Sequence, residues 1–133
     1  MQHNDSLYPE DWLNIAEKDL TRLRRAMRAH DPDQAGFYLQ QTVEKFLKAF
    51  LLSRGATLRR IHVLDVLLTE AISYEPTFAQ YQLVCQKVTA FYMLDRYPTL
   101  ADVGTTEQIV RDCFRDVQGL IKQIRASLKP LMP

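Results

Sequence analysis

Residues 40–51 read Gln40-Gln41-Thr42-Val43-Glu44-Lys45-Phe46-Leu47-Lys48-Ala49-Phe50-Leu51, and this stretch decides the fold. Val43, Phe46, Leu47 and Phe50, with Leu39 before them, recur at steps of three and four, which is one face of an α-helix. Phe37, Ala49, Leu51 and Leu52 widen that face beyond what a single core contact needs. A helix apolar on more than one side is either central to a bundle or covered by a second chain. Five polar side chains, Gln40, Gln41, Glu44, Lys45 and Lys48, are set into the same stripe. Glu44 and Lys48 stand at i,i+4 with the acid N-terminal, the order that favours a side-chain pair. The helix is predicted from about Pro32 to Arg54, with Asp31-Pro32-Asp33 opening it and Gly55 ending it.

Upstream, Pro9-Glu10-Asp11 opens a first helix carrying Trp12, Ala16, Leu20, Leu23 and Met27 on one face and ending near His30. Arg22, Arg24, Arg25 and Arg28 on this helix, with Glu17 and Asp19 nearby, read as a solvated face, with contact to RNA phosphates as the functional alternative. Downstream, a basic loop (Arg54, Arg59, Arg60) leads to a shorter helix from about His62 to Ser73 with Leu64, Leu67, Leu68 and Ala71 inward. Glu75-Pro76-Thr77 breaks the chain, and a fourth helix carries Tyr81, Val84, Val88 and Phe91. Pro98 turns Tyr97 away from helix. Thr105 with Gln108 reads as a capping box opening a last helix with Val110, Phe114, Val117, Ile121, Ile124 and Leu128. The expected fold is all-α, an antiparallel bundle of about five helices, one domain over 1–133 with its core at about 10–128.

Composition agrees. The 133 residues are 47% hydrophobic and 25% charged with a net charge of +1, which suits a folded domain and not a DNA-coating protein. Four glycines and six prolines are too few for the many turns of a sandwich or barrel. Cys85 and Cys113 have no CxxC spacing, so neither a disulfide scaffold nor a zinc cluster is expected. No apolar run reaches the ~20 residues that cross a bilayer, and the polar, acidic N-terminus lacks a secretory layout. A cytoplasmic protein with no membrane contact and no cofactor is expected. The four glycines are scattered singly, which excludes a phosphate loop. His3, His30 and His62 fall in separate segments without the spacing of a helical metal site, so no metal is expected. Ser53 and Ser73 have no base nearby in sequence.

The Gln-Gln-x-x-Glu-Lys-x-x-Lys-Ala segment is preceded by Ala16-Glu17-Lys18-Asp19-Leu20. It is followed by His62-Val63-Leu64-Asp65-Val66-Leu67-Leu68, by Phe91-Tyr92 and by Arg96-Tyr97-Pro98. This ordered set, over roughly Trp12 to Leu128, resembles the HEPN family of small helical domains. The resemblance implies a five-helix bundle of the nucleotidyltransferase substrate-binding-subunit type, often a homodimer and often partnered by a small nucleotidyltransferase. Many members are RNases of toxin–antitoxin or defence systems, with an Arg followed four to six residues later by His. In that chemistry the Arg stabilises the phosphorane while the His moves a proton without metal. Here no histidine follows Arg96, so Arg96-Tyr97-Pro98 resembles a variant branch associated with nucleotide or partner binding.

The expected function is therefore binding of a nucleotide or RNA phosphate, of a second copy, or of a nucleotidyltransferase. Arg96 is the phosphate contact, Tyr97 or Tyr92 the stacking group, and Glu44, Lys45, Gln41, Lys48 and His62 the surrounding cleft. Two alternatives stay open: a metal-independent RNase using Arg96 and His62, and a pure dimerisation scaffold. Each residue also has an ordinary reading. Arg96 can tie down its loop, the tyrosines can be core or dimer contacts, His62 can cap its helix, and Glu44–Lys48 can be an exposed pair worth only ~0.3–0.5 kcal/mol. At least one of the apolar faces of the second and fifth helices is expected to be a dimer surface.

Overall fold

The computed structural model describes residues 6–96 and 106–129. Five α-helices run in the order α1 (Pro9–Arg28), α2 (Pro32–Ser53), α3 (Leu64–Ile72), α4 (Gln82–Arg96) and α5 (Glu107–Leu128), with a 3-10 turn at Pro76–Tyr81 between α3 and α4. There is no strand among the described residues. The helix starts follow from local chemistry. Pro9 occupies the first turn of α1 with Glu10 and Asp11 beside it, and the Asp31 side chain accepts from Gln34 N–H to cap α2. The hairpin between α1 and α2 is tight enough to hold His30 at φ 55°. Gly55, at φ 83°, turns the chain off the end of α2.

Helix α2 is the axis of the bundle. Almost every residue from Leu39 to Leu51 is buried, packed by α1, α5, α4 and α3. Trp12, Leu20 and Leu23 come in from α1, Leu64, Leu67 and Leu68 from α3, Val88 and Phe91 from α4, and Val117, Ile121 and Ile124 from α5. Phe50 meets Phe78 of the 3-10 turn with ring centroids 5.0 Å apart. Each fully buried large apolar side chain contributes roughly 1.5–3 kcal/mol of transfer free energy. The core positions of α2 and α5 are thus buried inside the chain, while Phe37 on α2 and Ile109 and Phe114 on α5 keep part of their surface exposed.

Smaller corrections have local causes. Helix α3 starts at Leu64, not His62, and its N-cap is Val63 with no side-chain cap. The Leu64 N–H donates instead to Thr89 Oγ1 of α4 at 3.1 Å, so His62 caps nothing. Tyr81 belongs to the 3-10 turn and not to α4. The cap of α5 is Thr106, whose hydroxyl accepts from Ile109 N–H, while Gln108 bonds Asp112. That register leaves no capping box, and Thr105 lies outside the described residues. On α1, Ala26 is buried where Met27 was expected, and on α5 Cys113 and Leu120 are more deeply buried than Phe114.

Gly119 marks the closest approach of α5 to the 3-10 turn, since a Cβ there would meet Tyr81 Oη and Cζ. Glycine to alanine in a helix normally stabilises by ~1 kcal/mol. Here G119A is expected to lower unfolding free energy in urea by about 1–3 kcal/mol through overpacking. The double variant G119A/Y81F, which removes the obstructing hydroxyl, should recover most of that loss.

Candidate functional site

The five polar residues of α2 form a single hydrogen-bonded ring around one carboxylate. Glu44 is fully buried. Its Oε1 accepts from Gln40 Nε2 at 3.0 Å and contacts His62 Nδ1 at 2.9 Å. Its Oε2 accepts from Lys45 Nζ at 2.9 Å and Lys48 Nζ at 3.0 Å. Lys45 Nζ also donates to Gln41 Oε1 (3.0 Å), Gln41 Nε2 to Gln40 Oε1 (2.6 Å), and Gln40 Nε2 to the His62 carbonyl (2.9 Å). Every acceptor position of the carboxylate is occupied. The exposed-pair reading of Glu44 and Lys48 is overturned, because the turn of α2 that carries them lies at the centre of the bundle.

Electrostatics decides the protonation states. Burial alone would raise the Glu44 carboxyl, but the Lys45 and Lys48 charges, with hydrogen bonds from Lys45 and Gln40, outweigh it and hold the group at about 2. Glu44 is therefore ionised at neutral pH and can only accept, so His62 Nδ1 carries the hydrogen between them. This fixes the tautomer and leaves His62 Nε2 as the remaining ring atom. Burial lowers the Lys48 ammonium from its ordinary value, the Glu44 charge opposing it in part. Lys48 Nζ also stands 5.2 Å from the Trp12 ring centroid, a contact that ties the cluster to α1.

Exposure sorts the cluster into an inner and an outer part. The side chains of Glu44 and Lys48 are 0% and 6% exposed, those of Lys45 and His62 13% and 47%. Tyr92 of α4 stacks on the His62 ring with centroids 4.7 Å apart and planes 23° apart. So the structure brings together Gln41, Glu44, Lys45, Lys48, His62 and Tyr92 from the sequence-based set. Arg96 is the last residue of α4, one turn past Tyr92. The expected approach of its guanidinium to Glu44 and Lys45 lies outside the described residues, as does Tyr97.

Two residues were not foreseen. Gln40 holds both Glu44 and the backbone of the α3 approach, and only its place in the stripe hinted at this. Asp19 is buried on α1, accepting from Arg22 at 2.8 Å; burial raises its carboxyl, opposed by Arg22 and by the Lys45 charge. A surface groove of about 400 Å³ lies elsewhere, against α3. It is walled by Asp65 and Glu70, with Arg59 2.6 Å from Glu70. Among the described residues no group of three His, Cys, Asp or Glu could hold a metal ion.

Because Glu44 titrates far below a free carboxyl, its contribution to stability is present above pH ~4.5 and is lost as pH falls toward 2. The whole effect is roughly 3 kcal/mol. Asp19, shifted the other way, opposes it, so the comparison must isolate Glu44. In urea unfolding, wild type should exceed E44Q by about 3–5 kcal/mol at pH 7, since the variant leaves buried lysines unpaired. The gap should close between pH 4.5 and 2.

Among the described residues no helix is long and apolar enough to cross a membrane. No curated protein and no solved structure matches the chain. A family model described as HEPN domain matches residues 9–126. That span runs from the first residue of α1 to the last turn of α5 and takes in the whole cluster around Glu44, so the chain belongs to the HEPN domain family.

Proposed function

We propose that the chain binds a nucleotide or RNA phosphate on the face where Lys45, His62 and Tyr92 reach the surface, with Arg96 one turn farther along α4. The observation that carries this reading is the Glu44 ring. A carboxylate saturated by four donors holds an ammonium and an imidazole in fixed positions, and such positioning lowers the ordering cost of binding an anion. Lys45 is the point charge, His62 Nε2 a donor to phosphate in the imidazolium form, and Tyr92 an aromatic face for a base. Arg96 supplies the planar fork suited to phosphate. In the wider reading a second copy and a small nucleotidyltransferase are the protein partners, as in toxin–antitoxin or defence pairs. Val63 and Val66, 45% and 43% exposed directly after His62, offer apolar surface beside the site for such a contact.

Calorimetry with ATP, GTP and a short RNA tests the reading. Binding should weaken about tenfold or more in H62A, K45Q and R96A, the loss of one charge-assisted contact each. Circular dichroism melts establish that the variants fold. Wild-type protein whose melting temperature is not raised by any nucleotide or RNA would sink the proposal.

A second reading, metal-independent cleavage of RNA, is favoured by one contact. Glu44 Oε1 holds His62 Nδ1 and so leaves Nε2 as a candidate base. In that reaction Nε2 takes the proton of a ribose 2′-hydroxyl, the oxygen attacks the adjacent phosphorus, and the 5′-oxygen leaves as an alcohol after protonation by water. Incubation of the purified protein with RNA and EDTA distinguishes the two. Intact RNA is expected under the binding reading, whereas cleavage abolished by H62A would establish the second.

A further inference from the structure

Two helix stripes face each other along the α1–α2 hairpin. Lys18, Arg22 and Arg25 on α1, with Ala29 just past its end, stand at steps of four, three and four; on α2, Gln34, Tyr38, Gln41 and Lys45 repeat the same steps. Because the helices are antiparallel and joined by only three residues, Ala29 falls opposite Gln34, Arg25 opposite Tyr38, Arg22 opposite Gln41 and Lys18 opposite Lys45. Between the stripes lies a groove of about 290 Å³ lined by Arg22, Arg25, Ala26, Ala29, Gln34 and Tyr38. The two alanines make its floor low, the two arginines make one wall basic, and Tyr38 puts an aromatic ring on the other. Arg25 is exposed and makes no side-chain hydrogen bond or ion pair among the described residues. No acid is among the residues lining the groove; Asp19, which accepts from Arg22, is buried and steadies that arginine.

The α2 stripe ends at Lys45, which is already part of the Glu44 ring. The groove itself ends at Arg22 and Tyr38, and the α2 stripe carries on from there through Gln41 to Lys45, seven residues and about 10 Å along the helix from Tyr38. We infer that the α1–α2 groove is a track for a single-stranded polynucleotide, which enters past Arg25 and Tyr38 and delivers one phosphate to Lys45 and His62. This rests on the proposed phosphate site and names its substrate class: a strand, not a free nucleotide. Alternating cationic and aromatic side chains along a groove are the general device for binding single strands, with backbone charge and base stacking both engaged. A mononucleotide at Lys45 would leave Arg25 and Tyr38 without any role in binding.

Fluorescence anisotropy with the full chain provides the test, using a labelled RNA of about eight nucleotides, the DNA of the same sequence, and AMP as competitor. The strand should bind at least tenfold tighter than AMP and lose affinity steeply with salt. R25A and Y38A should each weaken the strand about tenfold while leaving AMP affinity unchanged, and Y38F, which keeps the ring, should bind as wild type. Neither residue belongs to the Glu44 ring, so these variants leave the phosphate site intact. RNA and DNA binding alike would mark backbone reading, and a preference for one would identify the natural strand. If AMP and the strand bind equally and R25A and Y38A change nothing, the track is wrong and the phosphate site survives. If neither AMP nor strand binds, both fall.

Discussion

A carboxylate with no exposure to water sits at the middle of the central helix, and the rest of the site is built to make that tolerable. An isolated buried charge costs many kcal/mol, and a half-satisfied polar cluster is worse than an apolar core. Glu44 escapes both penalties because four donors from three separate side-chain types converge on it. Three of those donors come from its own helix at i−4, i+1 and i+4. The fourth, His62, comes from the segment leading into α3, and it brings α4 with it through the stack on Tyr92. Lys48 adds α1 through Trp12. One ionised group therefore joins four helices at a place where a leucine would have joined them more cheaply.

That comparison matters, since buried ion pairs replaced by apolar residues are often neutral or stabilising. Stability alone does not account for this network. Its outer members do reach the surface, however, and they do so with their orientation fixed. An arrangement that gives up packing energy at the centre and gains positioned charge at the rim is what a binding or proton-transfer site requires.

Much of the bundle was legible from periodicity because α1, α2 and α5 are long and their apolar steps are regular. The excess apolar width of α2 goes with its central position, since the run from Leu39 to Leu51 is buried at every residue but Gln41 and Lys45. The boundary differences have separate causes. Thr106 caps α5 by an ordinary local bond from Ile109 N–H, one residue past the threonine chosen from sequence, whereas the Leu64 N–H is met by a hydroxyl from α4, which no local pattern announces. The cluster itself was half legible. Five polar residues set in an apolar stripe must find partners or stay in water, so their association on α2 followed from burial. That His62, eighteen residues on, would supply the fourth donor did not follow, because it depends on how the Arg54–Val63 loop returns along α2. Asp19 was read as a surface acid, since nothing in α1 alone shows that α2 covers its side.

The same geometry assigns roles within the cluster. Glu44 has no free lone pair and titrates near 2, so it is not itself a base at neutral pH. Lys48 and Gln40 are enclosed, with their donors already committed to Glu44 and the His62 carbonyl. Among the described residues, Lys45, His62 and Tyr92 combine a fixed position with access to solvent. In the proposed binding site these are the described side chains that a ligand meets. Glu44 acts one bond removed, as a positioning residue whose charge sets the tautomer of the imidazole. The binding and the cleavage readings therefore part at His62 Nε2: a phosphate oxygen meets it only as the N–H of the imidazolium, whereas a 2′-hydroxyl gives its proton to the lone pair of the neutral ring.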